Sequence, residues 1–174
     1  MTGVRTRLSD LNRGSLDGFL RVCGPVFEGS PWIAERAWRG RPFPSLDALH
    51  RELVATVRDA AQEEQLALIG AHPDLVGRLA RQGRLSHESR GEQAAAGLQE
   101  LTAEEVARFE ELNREYRGKF GFPFVICARE NRKEAILAAF PARLAHTRGE
   151  EIDAALVEIG KIARLRLADA VREE

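Results

Sequence analysis

Along most of the chain apolar residues recur every three or four positions, and strict alternation is nearly absent. That period marks helices that bury one face. Ser15 can cap a helix carrying Leu16, Phe19 and Leu20. Ser30 can cap a second, with Pro31 at the first helical position, where its missing N–H costs nothing. Residues 45–60 open on Ser45 and place Leu46, Leu49, Leu53 and Val57 on one face. Thr102-Ala103-Glu104-Glu105 is a capping-box pattern, followed by a stripe of Val106, Phe109, Leu112 and Tyr116. Residues 131–134 repeat that device ahead of Ile136, Leu137 and Phe140, and a last helix runs from about Gly149 to about Val171. The one candidate strand, GFPFVICA at 121–128, is isolated and demoted by Pro123. Residues 39–44 form a loop joining helices, and there is no internal repeat. The pattern predicts an all-α, single-domain bundle of about seven to nine helices spanning residues 1–174.

Composition narrows the function classes. With 44% hydrophobic and 30% charged residues in 174, the chain has the balance of a globular protein with a real core. A net charge of −1 leaves no basic excess for phosphates, so no nucleic-acid partner is expected. No apolar run approaches the ~18 residues of a membrane span, so no membrane partner is expected. The N-terminal stretch lacks the apolar core of a secretion signal, and the final VREE is not a peroxisomal tripeptide. A soluble, cytoplasmic protein is the expectation. Cys23 and Cys127 sit among apolar residues and read as packed, reduced thiols.

Four places break their own pattern. In LALIGAHPDLVG, an apolar helix meets His72, and the residue before a proline is pushed out of the α region. Pro73 then suits a first helical position and Asp74 a first turn, which sets His72 at the positive end of a helix dipole. There an imidazole is disfavoured as a cation, as a general base requires; the plainer reading is a surface turn histidine. In LSHESRGEQAAAG, Ser89, Glu92 and Ala96 share a face, and the run Ala94 to Gly97 admits a close neighbouring helix. Glu92 is then either a junction residue or a solvated glutamate. His87-Glu88 begins like a zinc-binding helix, but position 91 is glycine, so no metal site follows. KFGFPFVIC, ending a long helix at Gly118 or Gly121, can wall a pocket and offer main-chain donors, or merely plug a gap between helices. Finally, Ile152, Ala155, Leu156, Ile159, Ile162 and Ala163 form a buried stripe whose next member is Arg166, whereas Arg164 falls outside. A buried guanidinium needs an anion, supplied either by a structural carboxylate or by a ligand.

Taken together, HPDL at 72–75, ESRGEQ at 88–93, FGFPFVI at 120–126 and EIGKIARLRL at 158–167 resemble the 2-oxo-4-hydroxy-4-carboxy-5-ureidoimidazoline (OHCU) decarboxylases. VFEGSPWIAERAW at 26–38 and RPFPSLDALH at 41–50 are similar to that family as well, so the resemblance covers essentially the whole chain. It implies an all-helical homodimer that converts OHCU to (S)-allantoin late in urate breakdown. It implies His72 and Glu92 as catalytic residues, with Pro73, Ser89 and Arg166 contacting substrate. Main-chain and side-chain contacts map to Phe122, Phe124, Val125 and Ile126.

The residue types suit that chemistry. Carbon dioxide leaves an electron pair behind, and the C=N of the substrate ring can accept it, so neither a metal nor an organic cofactor is expected. Arg166 would orient the substrate, neutral His72 would accept a ring proton, and Glu92 would hold ureido and ring N–H groups. Two rivals remain: a non-catalytic helical binding or scaffold module, and a decarboxylase of a related ureido or imidazole acid.

Overall fold

The computed structural model describes residues 4–77 and 83–174. It is all-α, with nine α-helices among the described residues and one two-stranded pairing. The helices are α1 (Leu8–Arg13), α2 (Leu16–Cys23), α3 (Trp32–Ala37), α4 (Leu46–Arg58) and α5 (Gln62–Ala71), then α6 (His87–Ala95), α7 (Ala103–Phe120), α8 (Lys133–Leu144) and α9 (Arg148–Ala170). Packing groups the chain into two compact units, Met1–Ala71 with Gly160–Glu174, and His72–Ile159.

In the first unit the ends of the chain meet. Strand β1 (Thr6–Arg7) pairs in parallel with β2 (Val171–Arg172), Thr6 opposite Val171. Ser15 Oγ accepts from the Gly18 amide and Ser45 Oγ from the Ala48 amide, each at 3.1 Å, so both predicted caps form. Leu49, Leu53 and Val57 are buried on α4, as the spacing requires. The Asn12 side-chain amide grips the 41–44 loop by both its groups, accepting from Phe43 N at 2.8 Å and donating to Phe43 O at 2.9 Å. His50 Nε2 lies 2.8 Å from the Gly160 carbonyl, holding α4 against α9. Ser30 does not cap α3. Its hydroxyl donates to the Glu28 carbonyl at 3.0 Å, and Pro31 is already helical in backbone at the cap.

The second unit is built around aromatic residues. Thr102 and Glu105 form the predicted capping box, and α7 buries Phe109, Leu112, Tyr116 and Phe120 before Gly121 ends it at φ +82°, the left-handed conformation that glycine adopts freely. The segment after it is irregular, not a strand. Phe124 stacks on Phe140 of α8 with ring centres 3.9 Å apart, and Tyr116 meets Phe124 edge-on at 5.3 Å. Residues 131–134 form no capping box. Asn131 Nδ2 donates instead to the Cys127 carbonyl, and the Lys133 amide to the Ala96 carbonyl at 3.1 Å. Both cysteines are free and buried, and burial pushes the Cys23 thiol up to about 12.

Candidate active site

His72 directly follows the last residue of α5 and is 6% exposed. No helix begins at Pro73: Pro73 and Asp74 are irregular, and the chain turns at Leu75 and Val76. The helix-dipole ground for a neutral imidazole therefore falls, because His72 stands past the carbonyl end of a helix. What fixes the turn is a set of side chains from later in the chain. Asp74 pairs with Arg117 Nε at 3.0 Å, Asn113 Nδ2 donates to the Leu75 carbonyl at 2.8 Å, and the Val76 amide donates to Gln93 Oε1 at 3.2 Å. Val76 sits at φ +57°, a conformation that costs a β-branched residue of order 1–3 kcal/mol and persists only where the surroundings over-determine it.

Gln93 belongs to α6, whose cap is Ser86, accepting from the Ser89 amide at 3.1 Å. Ser89 and Gln93 are buried, and Glu92 is half-buried beside them. The helix closes on Gly97 at φ +78°, with Leu98 N donating to Gln93 O and Gly97 N to Ala94 O. The expected close approach over the alanine run is confined to Ala96, because Ala94 and Ala95 are exposed. A cavity of about 540 Å³ borders Val76, Arg90, Gln93, Leu98 and Val106.

Phe122, Pro123, Phe124 and Val125 are buried and Ile126 half-buried. The segment is clamped: Arg143 Nη1 donates to the Val125 carbonyl at 2.7 Å, and the Cys127 amide donates to Glu158 Oε2 at 2.9 Å. Burial and then the nearby carboxylates of Glu130, Glu158 and Glu92 raise the Cys127 thiol to about 11, so Glu92 lies within electrostatic reach of this segment. His72, Pro73, Ser89, Glu92 and Phe122–Ile126 all belong to the unit His72–Ile159.

Arg166 belongs to the other unit and is 5% exposed, as its place on the stripe requires. Its Nη2 lies 2.9 Å from Glu28 Oε2, and its Nη1 donates to the Pro25 carbonyl at 3.3 Å. Of the two anions left open by the sequence, the structural carboxylate is present. Glu28 carries no such signal in the sequence, since it lies in irregular backbone where no period makes a charge conspicuous.

The comparisons with known proteins bear on the whole chain. Residues 12–168 match the family model described as OHCU decarboxylase. The chain belongs to the OHCU decarboxylase family. This is a family of carboxy-lyases. The chain is 41% identical over 166 residues to the OHCU decarboxylase of Halalkalicoccus jeotgali, covering 95% of this chain and 92% of that one. It is also 41% identical to the uric acid degradation bifunctional protein of Bacillus subtilis, covering 96% of this chain and 33% of that one. A crystal structure of (S)-allantoin synthase superposes with a TM-score of 0.74 at 28% identity, over 95% of this chain and 54% of the other.

Proposed function

We propose that this protein decarboxylates OHCU to (S)-allantoin in urate breakdown, with His72 and Glu92 as its catalytic residues. The carboxylate carbon–carbon bond breaks, carbon dioxide leaves, and the electron pair moves into the ring C=N, whose nitrogen takes up a proton from solvent. His72 accepts the ring hydroxyl proton as this happens. Glu92 holds the ureido and ring N–H groups, and a proton returned to one face sets the S configuration. Arg166 orients the substrate through hydrogen bonds to an anionic or carbonyl oxygen. Pro73, Ser89 and Phe122, Phe124, Val125 and Ile126 complete the substrate contacts. The ring accepts the electrons, so no step calls for a metal or an organic cofactor.

The observation that carries this reading is the strained Val76 turn. It opens at His72 and is tied by hydrogen bond to Gln93, the neighbour of Glu92, in a chain of this family. Strain held in place beside a buried histidine is the mark of a site set for work rather than for stability alone. The reading further takes residues 1–174 as one decarboxylase domain, working as a cytoplasmic homodimer. Light scattering after size-exclusion chromatography tests the dimer.

The activity is tested by oxidising urate through its hydrolase step and following circular dichroism with and without the protein. One allantoin enantiomer should form faster with it. His72→Ala and Glu92→Ala should each abolish that acceleration while helical circular dichroism and melting stay near wild type. Unfolding of both variants, or unaltered turnover, defeats the assignment.

A further inference from the structure

Two acceptors of Arg166 come from one short loop. Pro25 supplies a carbonyl to Nη1 and Glu28 a carboxylate to Nη2, so two different groups meet the guanidinium and fix its plane. That loop is itself locked. Pro25 lies in the 3-10 turn Gly24–Val26, Phe27 is 2% exposed, and the Ser30 amide donates to the Phe27 carbonyl at 3.2 Å. Ser30 Oγ donates to the Glu28 carbonyl. Gly29 sits at φ +56°, and a Cβ there would stand 3.5 Å from Ala71 Cβ, so the loop backs closely onto the end of α5.

An arginine side chain loses about 2 kcal/mol of rotamer freedom when it is held in one geometry. A site that binds through a guanidinium gains when this ordering precedes substrate arrival. We propose that Glu28 is a positioning residue: it holds the Arg166 fork in the orientation that receives substrate. This rests on the reading of Arg166 as a substrate ligand. Glu28 has the attributes the role needs: it is within charge-assisted hydrogen-bond distance, its side chain is 13% exposed, and its backbone is anchored on both sides.

The test is steady-state kinetics on OHCU with wild type, Glu28→Asp and Glu28→Gln, alongside Glu64→Gln as an exposed control. Glu28→Asp withdraws the carboxylate by one methylene and should raise KM about tenfold with a smaller change in kcat. Glu28→Gln keeps an acceptor at the same reach and should recover part of that loss. In an Arg166→Lys background the Asp substitution should add little, because the two residues act as one unit. A KM within about twofold of wild type for both Glu28 variants overturns the proposal, as does full additivity with Arg166→Lys. If Glu28→Asp fails to fold, Glu28→Gln decides alone, by whether KM rises above that same margin. A wild type without turnover counts against the proposed function. Calorimetric binding of (S)-allantoin to the same variants then reads the positioning role, with weakened binding for Glu28→Asp supporting it and unchanged binding overturning it.

Discussion

Glu151 and Arg166 are two charged side chains buried on α9, and each is explained by what meets it. Glu151 is fully buried and is met by the Tyr116 hydroxyl, by Arg143 Nε and Nη2 at 2.9 and 2.8 Å, and by His146 Nδ1 at 2.9 Å. Burial pushes its carboxyl up, but the bonds from Arg143 and Tyr116 and the Arg143 charge outweigh that and hold it below the usual carboxylate range. A carboxyl depressed in the folded state contributes stability that is present above its unfolded value, about 4.3, and lost as pH falls through the folded value. Melting followed between about pH 7 and about pH 3 should show that loss. Glu151→Gln should lack that component and be weaker at neutral pH by about 3–5 kcal/mol, since it strands a buried guanidinium. Unequal losses of that kind are what chemical denaturation at two pH values resolves. Arg166 was legible in the sequence because a charge interrupts an apolar stripe. The same rule picks out Glu151, four residues before Ala155, and Arg143, after Ile136 and Phe140 at helical spacing. Glu28 gives no such signal, because irregular backbone has no period to break.

At the level of elements, the caps show what local chemistry decides and what it does not. Ser15, Ser45 and Thr102 cap as their sequences suggest, since a hydroxyl and a nearby amide need nothing distant. Thr102→Ala should therefore cost about 1 kcal/mol by removing the Glu105 amide's acceptor, a loss readable as a lower urea midpoint at unchanged slope. Asn131 and Pro73 fail as helix starts because other partners claim their segments, four residues back for Asn131 and far along the chain for the turn after His72. Asn131 is drawn to the Cys127 carbonyl. The segment after His72 is drawn to Gln93, Asn113 and Arg117. A proline suits a turn as well as a first helical position, so Pro73 alone could not choose between them. The aromatic segment was legible as irregular from Pro123, but the clamps from Arg143 and Glu158 were not, because they come from two later helices.

For the whole molecule, a near-neutral chain and an all-α fold followed from composition and period, and no described helix is long and apolar enough to cross a membrane. The pairing of the two ends did not, since strands of two residues leave no pattern. Val171 is 1% exposed, and Glu173 Oε1 accepts from the Leu46 amide at 2.8 Å. Deleting residues 171–174 should thus cost about 2–4 kcal/mol, from one buried valine and one helix-start partner, and lower the thermal midpoint accordingly. The unit that begins first along the chain also ends last, because Gly160–Glu174 belongs with Met1–Ala71. On the ribosome this inverts the order of completion. Residues 72–159 can finish their unit while the opening helices still wait for residues 160–174, and at about 5–20 residues per second that wait is several seconds. During it Thr6–Arg7 lacks its strand partner and His50 the Gly160 carbonyl, so the nascent N-terminal stretch is where a chaperone would find its grip.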